Sequence, residues 1–234
     1  MNKEEFINEL SKLNINLTNT QLEQLEKYYQ ILIEENKKYN LTSITNKEDV
    51  YLKHFYDSLT ITKIINLSNQ SLCDIGTGAG FPGLVLKIAF PDLKVTLIDA
   101  TEKKCNFLKM VIAKLNLKEM EVINERAENF SKITREKYDI VTSRAVAPLK
   151  HLLEYSIPLV SVNGYYIAMK SDTTKEIDNI NIYEKELNIK KIKEIKFNLP
   201  KEESLRTLIM YQKTKITNHK YPRKYNEMKR KEIR

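Results

Sequence analysis

Two aspartates, one on either side of a set of glycines, are the residues of this 234-residue chain whose types and spacing best suit chemistry. The glycine stretch covers residues 73–83, in which Asp74 stands two residues before a Gly-x-Gly-x-Gly pattern that begins at Gly76. Glycines let the backbone turn tightly and let a ligand approach, because they carry no Cβ. Asp99 follows about 20 residues later, where an acid that binds ribose hydroxyls is expected. The alternatives are an ordinary tight turn and an aspartate that caps the helix beginning near Glu102.

The spacing of the glycines distinguishes this turn from that of the dinucleotide dehydrogenases. Those enzymes use Gly-x-Gly-x-x-Gly and place a pyrophosphate at the helix N-terminus. Here the third glycine comes one residue earlier, and an acid precedes the first glycine. This pattern resembles the first motif of S-adenosylmethionine-dependent methyltransferases. The Asp74 carboxylate could accept hydrogen bonds from the loop N–H groups or, through water, face the cationic methionine end of the ligand.

The elements around the glycines alternate between strands and helices. Apolar runs predict seven strands, the last two as a hairpin, over residues 71–73, 94–99, 120–124, 138–143, 164–170, 190–199 and 206–212. Helical spacing predicts helices over residues 84–90, 102–116 and 149–159. This alternation predicts an α/β fold with a mostly parallel sheet and helices on both faces. Because ligands bind at the carboxyl ends of such strands, we expect the glycines, Asp99, Ala127, Glu128 and Arg144 to meet at one edge.

The first 68 residues are predicted to be helical. A first helix carries Phe6 and Leu10 on its apolar face, and a capping box at residues 20–23 is predicted to start a second. The apolar face predicted for the second helix consists of Leu22, Leu25, Tyr29, Leu32 and Ile33. Asn46 is predicted to cap a third helix over residues 47–65. The predicted organisation is an N-terminal helical cap (1–68), a methyltransferase domain (69–213) and a basic C-terminal tail (214–234).

Composition is typical of a globular protein, with 41% hydrophobic and 30% charged residues. The chain has no apolar run long enough to span a membrane and no signal-peptide core at its start. Its two cysteines, Cys73 and Cys105, lack the spacing of a metal site or a disulfide framework. We therefore expect reduced core thiols, a cytoplasmic location, and neither metal nor membrane as a partner.

The net charge of +8 is concentrated near the C-terminus. Residues 187–234 hold fifteen Lys and Arg against five Asp and Glu. Such a block suggests contact with nucleic acid or with a membrane surface. The interleaved Tyr221, Arg223, Lys224 and Tyr225 could stack on bases and bind phosphates. The alternative is a solvated, partly disordered tail.

Several segments in order resemble one family, the small-subunit ribosomal RNA guanine-N7 methyltransferases, also called the glucose-inhibited division protein B family. The segments are Asn36-Lys37-Lys38-Tyr39-Asn40-Leu41-Thr42, His54-Phe55-Tyr56-Asp57-Ser58-Leu59, Asp74-Ile75-Gly76-Thr77-Gly78-Ala79-Gly80-Phe81-Pro82-Gly83, Ser143-Arg144-Ala145 and Lys220-Tyr221-Pro222-Arg223-Lys224. The resemblance covers nearly the whole chain. It implies the class I S-adenosylmethionine-dependent methyltransferase fold, S-adenosylmethionine as donor, and a guanine of 16S ribosomal RNA, free or in the small subunit, as acceptor.

Together, the motif and the resemblance give two sets of candidate site residues. The candidates for cofactor binding are Asp74, Gly76, Gly78, Gly80, Phe81, Asp99, Ala127, Glu128 and Arg144. The candidates for RNA binding are Arg144, Lys170, Arg223 and Lys224. In the first set, the resemblance implies that Ala127 and Glu128 border the adenine, whereas residues 100–102 depart from the family pattern.

No general base is assigned, because nitrogen-7 of guanine has a free lone pair and no proton need leave before it attacks. Alignment of the two reactants can supply roughly 7–11 kcal/mol of such a barrier. His54 is expected to pack or to hydrogen-bond. Two other functions stay open at this point, a nicotinamide-dependent oxidoreductase on a similar sheet and a non-catalytic RNA-binding protein.

Overall fold

A mostly parallel β-sheet forms the centre of the computed structural model, which describes residues 1–144, 146–171 and 179–233. Within these ranges the sheet has seven strands, β1 (Ser71–Ile75), β2 (Lys94–Asp99), β3 (Met120–Asn124), β4 (Tyr138–Arg144), β5 (Val160–Lys170), β6 (Ile189–Asn198) and β7 (Leu205–Lys213). Their order is β3-β2-β1-β4-β5-β7-β6. Strands β1 to β5 are parallel, and β7 is antiparallel to both β5 and β6. The predicted sheet and its late hairpin are confirmed.

Helices cover both faces of this sheet. In the described ranges they are α1 (Lys3–Ser11), α2 (Asn19–Tyr39), α3 (Lys47–Val50), α4 (Asp57–Leu59), α5 (Gly83–Ala89), α6 (Glu102–Lys114), α7 (Ala127–Ile133), α8 (Leu149–Ser156), α9 (Ile180–Leu187) and α10 (Tyr225–Arg230). The chain order reverses between β1 and β4, which is where open α/β sheets bind ligands. None of the helices in the described ranges is long and apolar enough to cross a membrane.

The N-terminal helices share one hydrophobic core with the sheet. Leu25, Tyr28 and Phe55 belong to the same buried cluster as Leu84 and Leu97 of the sheet region. A second cluster, formed with α8 and α9, lies against the opposite face. The division of the chain into three domains stays a prediction.

Helix α2 differs from the sequence prediction at its start and along its face. Its capping box is formed by Thr18 and Gln21 rather than by residues 20–23. Tyr28 and Ile31 are buried, whereas Tyr29 and Ile33, which were predicted on the buried face, are only half-buried. The predicted positions were wrong because two overlapping Thr-x-x-Gln/Glu patterns compete for the cap, and burial is decided by helices α5 and α6, which α2 packs against.

The third predicted helix begins where expected, because the Asn46 side chain accepts hydrogen bonds from the backbone N–H groups of Glu48 and Asp49. It is not regular, however. A π-helical stretch, Tyr51–Tyr56, separates α3 from α4, and a 3₁₀ turn, Thr60–Lys63, ends the helix. Wide π turns occur mostly inside α-helices and often at functional sites.

The C-terminal segment, defined as residues 214–233, is folded against the protein. Tyr221 and Met228 are buried in the second core. The guanidinium of Arg135 donates hydrogen bonds of 2.8 Å to the carbonyl oxygens of Tyr221 and Thr217. The alternative of a solvated, partly disordered tail is therefore wrong for Tyr221 and Met228, although most of the segment is exposed.

The cysteines agree with the sequence prediction. Cys73 and Cys105 are both buried and free of disulfide bonds.

Candidate active site

The glycine loop joins β1 to α5 through a left-handed backbone. Gly76, Gly78 and Gly80 have φ angles of 65°, 62° and 105°, which favour glycine. The Thr77 carbonyl accepts hydrogen bonds of 2.9 Å from the N–H groups of Gly80 and Phe81. The sequence prediction of a tight strand–turn–helix connection is confirmed.

Asp74 lies completely buried beneath this loop. Its Oδ2 accepts hydrogen bonds from the Thr77 hydroxyl, at 2.6 Å, and from the Gly83 N–H, at 2.8 Å. Its Oδ1 has no hydrogen-bond partner among the described residues. Burial raises the pKa of Asp74 to about 7, although the hydrogen bonds from Thr77 and Gly83 oppose the rise. Asp74 therefore holds the loop in shape, the first of its two predicted roles.

The raised pKa of Asp74 makes stability depend on pH in a defined direction. The folded protein binds the proton of the Asp74 carboxyl more tightly than the unfolded chain does. The contribution of this proton to the free energy of unfolding is fully present below the ordinary pKa of 3.8 and is lost as pH rises through about 7. An Asp74→Asn variant should lack this loss. We expect the difference in unfolding free energy, wild type minus variant, to fall by about 2 kcal/mol from about pH 5 to about pH 8 in urea titrations. A difference that stays constant or rises would contradict the assigned pKa.

Asp99 connects the loop to the end of β2. Its Oδ2 accepts a hydrogen bond of 3.0 Å from the Gly78 N–H, and its Oδ1 accepts one of 2.8 Å from the Thr101 N–H. The Lys104 ammonium lies 3.7 Å from Oδ2. Thr101 is the N-cap of α6, so the carboxylate serves the start of that helix as well as the loop. The alternative prediction, that Asp99 caps the helix beginning near Glu102, is thus partly correct.

A cavity of about 410 Å³, here called the strand-edge cavity, opens at the carboxyl ends of β1, β2 and β3. Five predicted cofactor residues line it, Gly76, Asp99, Ala127, Glu128 and Arg144. The lining also includes Lys104, Arg126, Tyr155 and Tyr225. The chain topology therefore brings together residues that are far apart in the sequence.

The remaining predicted cofactor residues lie elsewhere around the loop. Phe81 is buried, with its ring centre 4.3 Å from that of His54 and 5.7 Å from that of Tyr28, so it does not line the strand-edge cavity. Gly80 also faces the core, because a Cβ there would lie 2.5 Å from a methyl group of Leu84. A Cβ at Gly78 would meet no described atom within 4 Å.

This difference between Gly78 and Gly80 predicts different effects of substitution, mainly on ligand binding at Gly78 and mainly on stability at Gly80. A Gly78→Leu variant should fold with a loss of about 1–2 kcal/mol for the left-handed backbone, and its side chain would enter the open space in front of the loop. We expect calorimetry to show loss of S-adenosylmethionine binding. A matched Gly80→Ala variant should instead lose about 3 kcal/mol of unfolding free energy, because it also overpacks the core. Unchanged affinity in the Gly78→Leu variant would contradict a ligand in front of the loop.

Arg144 ends β4 and is held by groups from the N-terminal helices. Its Nη1 donates to the Lys53 carbonyl at 3.0 Å and to Asp57 Oδ2 at 3.1 Å. Its Nη2 lies 3.2 Å from His54 Nδ1, and its guanidinium carbon is 5.1 Å from the Phe81 ring centre. The guanidinium is thus fixed in one orientation by four neighbours.

A second cavity of about 270 Å³, here called the cap cavity, lies on the other side of Arg144. It is lined by apolar and basic residues around one carboxylate, namely Ile44, Lys53, His54, Asp57, Arg144, Met169, Lys170, Ser171, Arg206 and Leu208. The Asp57 carboxylate bridges two arginines, with Oδ1 at 3.0 Å from Arg206 Nε. Arg144 lines both cavities. Sequence reasoning quoted Asp57 within a motif but assigned no role to it or to Arg206.

His54 is hydrogen-bonded on both ring nitrogens, as expected. Because Arg144 can only donate hydrogen bonds, His54 Nδ1 must be the acceptor of the bond between them. The ring proton is therefore on Nε2, which donates a hydrogen bond of 2.9 Å to Thr42 Oγ1. Burial lowers the pKa of His54 to about 3, and the charge of Arg144 acts in the same direction. The ring is therefore neutral at physiological pH and has no free lone pair.

The residues predicted to bind RNA lie apart from one another. Lys170 lines the cap cavity, and its ammonium donates to the Ala147 carbonyl at 2.8 Å. Lys224 is exposed. Arg223 is instead paired with Glu154, a completely buried carboxylate, at 2.7 Å. Arg223 thus holds the C-terminal segment in place, and its contact with RNA stays a prediction.

One family model matches most of this chain, and two full-length relatives carry the name of that family. The family model described as GidB, rRNA small subunit methyltransferase G, matches residues 21–209. A protein named ribosomal RNA small subunit methyltransferase G from Lactobacillus helveticus is 46% identical over the whole of both chains. A protein of the same name from Bacillus cereus is 47% identical over 96% of this chain and 95% of its own.

Solved structures show the fold alone, because their sequences are distant. A SAM-dependent methyltransferase from Aquifex aeolicus is 14% identical and has a TM-score of 0.54, covering 74% of this chain and 96% of its own. TYW2 from M. jannaschii, solved in complex with AdoMet, is 14% identical with a TM-score of 0.51, covering 63% of this chain and 69% of its own. The predicted class I methyltransferase fold is confirmed. With the family match and the full-length relatives, the chain belongs to the rRNA small subunit methyltransferase G family.

Proposed function

We propose that this protein transfers a methyl group from S-adenosylmethionine to nitrogen-7 of a guanine in 16S ribosomal RNA, in the cytoplasm. The observation that carries the proposal is the pair of cavities that meet at Arg144. The strand-edge cavity would take the methyl donor and the cap cavity the guanine. Family membership supports the reaction, and the described geometry supports the division of roles.

The residues of the strand-edge cavity fit S-adenosylmethionine. A ligand has room in front of the loop, because a Cβ at Gly78 would meet no described atom within 4 Å. Asp99 stands at the end of β2, where a carboxylate can accept the ribose hydroxyls, and Ala127 and Glu128 would border the adenine. When bound, the cofactor supplies a methyl group activated on a sulfonium.

The cap cavity suits a purine nucleotide. Ile44, Met169 and Leu208 give it apolar walls. Lys53 is paired with Asp49 and Glu202, whereas Arg144, Lys170 and Arg206 outnumber the single lining carboxylate of Asp57. Apolar walls favour a base, and an excess of positive charge favours the phosphates of RNA.

The proposed mechanism relies on positioning. His54 does not serve as a base, since one ring nitrogen donates to Thr42 and the other accepts from Arg144. Nitrogen-7 attacks with its own lone pair and needs no base. The guanine becomes cationic as it is methylated, and the Asp57 carboxylate, which bridges Arg144 and Arg206, would offset part of the positive charge around it. Arg144 would fix the orientation of the base between the two cavities.

The test is incubation of the protein with radiolabelled S-adenosylmethionine and either deproteinised 16S RNA or intact small subunits. We expect label in one guanine, which is located by the sensitivity of N7-methylguanine to reduction and aniline cleavage. Calorimetric titration with NAD serves as a control for the oxidoreductase alternative. Binding of NAD but not of S-adenosylmethionine would overturn the proposal, and so would salt-dependent RNA binding without methyl transfer.

A further inference from the structure

The C-terminal segment is anchored firmly enough to place its residues precisely. The fork of Arg223 binds Glu154 through Nε, at 2.8 Å to Oε1, and Nη2, at 2.7 Å to Oε2. The Arg223 backbone N–H adds a third hydrogen bond to Glu154 Oε1 at 2.9 Å. Glu154 is completely buried, so this pair fixes the backbone two residues before Tyr225.

Tyr225 begins α10 and lines the strand-edge cavity. The guanidinium carbon of Arg126 lies 5.0 Å from its ring centre, and the Lys229 ammonium lies 4.7 Å from it. Arg126 also pairs with Glu128 at 2.6 Å. The ring therefore stands at the end of the cavity formed by the residues that follow β3.

We propose that Tyr225 is a cofactor-binding residue and that the C-terminal segment completes the cofactor cavity. The proposal rests on the proposed function, which puts the adenine of S-adenosylmethionine beside Ala127 and Glu128. The Tyr225 ring forms the outer wall against which that purine packs. The Arg126 guanidinium covers the Tyr225 ring in this structure. Its side chain is 54% exposed, so it can move aside when the adenine packs against the ring.

An aromatic wall of this kind has a measurable effect on affinity. Contact between a base and an aromatic ring is worth enough that its loss weakens binding about fivefold or more. The same contact links cofactor binding to the docking of the C-terminal segment. A ligand that binds only when the segment is docked also stabilises the docked state.

The first experiment measures S-adenosylmethionine binding by calorimetry in the full-length protein. We expect a Tyr225→Ala variant to raise Kd about fivefold or more, and a Tyr225→Phe variant, which keeps the ring, to stay within about twofold. A Tyr39→Ala variant is the matched control, because Tyr39 is exposed at 41% at the end of helix α2 and does not line the strand-edge cavity. Wild-type affinity in the Tyr225→Ala variant, or equal losses in the Ala and Phe variants, would overturn the inference.

The two proposals fail in different ways. If the wild type does not bind S-adenosylmethionine, the proposed function fails. If the wild type binds it and the Tyr225→Ala variant binds it equally well, only the role of Tyr225 fails. A variant with unchanged Kd but a raised KM for RNA would assign the ring to RNA instead.

Limited trypsin digestion of the wild type gives a second readout. Lys224 and Lys229 are exposed on either side of Tyr225 in the sequence, whereas Lys12 is an exposed site that does not line the cavity. We expect S-adenosylmethionine to slow cleavage at Lys224 and Lys229 and to leave cleavage at Lys12 unchanged. Equal cleavage rates with and without the cofactor would overturn the link between binding and docking.

Discussion

An Arg144→Ala variant is expected to transfer methyl groups on the order of 100-fold more slowly than the wild type, because misplacing a reactant by about 1 Å costs that much. Arg144 lines both cavities and is held by Lys53, His54 and Asp57. Its removal leaves the proposed guanine without its orienting group. The measurement is single-turnover transfer of label to small-subunit RNA at saturating cofactor.

Two further variants separate geometry from charge at this position. Arg144→Lys keeps the charge but loses the planar fork, so we expect most of the loss to persist. The Asp57→Asn substitution keeps the shape of the side chain that contacts Arg144, and Arg144 keeps its contacts with Lys53 and His54. We therefore expect a smaller loss in the rate of methyl transfer. Circular dichroism should show all three variants folded. Wild-type transfer by the Arg144→Ala variant would refute the arrangement of two substrates around this residue.

A Glu154→Ala variant is expected to lose about 3–5 kcal/mol of unfolding free energy, which is the cost of leaving one member of a buried ion pair without its partner. The Arg223 side chain is only 14% exposed, and that of Glu154 is completely buried. Water therefore cannot replace the carboxylate for Arg223. Urea unfolding followed by circular dichroism measures the loss.

A double-mutant cycle identifies the source of this loss. Glu154→Ala combined with Arg223→Met removes both charges, and we expect the double variant to be more stable than Glu154→Ala alone. Glu9→Ala is a matched control, because Glu9 pairs with Lys12 on the surface and should cost less than about 1 kcal/mol. A loss below about 1 kcal/mol for Glu154→Ala would show that the C-terminal segment is held by other contacts.

Sequence reasoning succeeded where local pattern and chain order decide the structure. Strands β2 and β3 have the predicted bounds, because each is a short run between clear turns. Helices α7, α9 and α10 were not predicted. They have seven, eight and six residues, too few to be stable alone, and unlike the equally short α5 they contain no continuous apolar run that marks a helix.

The candidate site shows the same limit. The strand ends bring Asp99 and Arg144 to one edge, and sequence order alone was enough to expect this. The bridge from Asp57 to Arg144 and Arg206 joins three elements that are distant in the chain, and no spacing rule connects them. Glu154, the partner of Arg223, was missed for the same reason, because the two residues lie 69 positions apart in the chain.

The π-helical stretch, Tyr51–Tyr56, ties this part of the chain to a fixed number of residues, because five of its six residues are buried. A π turn closes over one residue more than an α turn, so it accommodates the extra residue inside the helix. Deleting a residue here would remove or displace a buried side chain such as His54, which contacts Arg144, or Phe55. We therefore expect insertions and deletions in this stretch to harm both stability and activity.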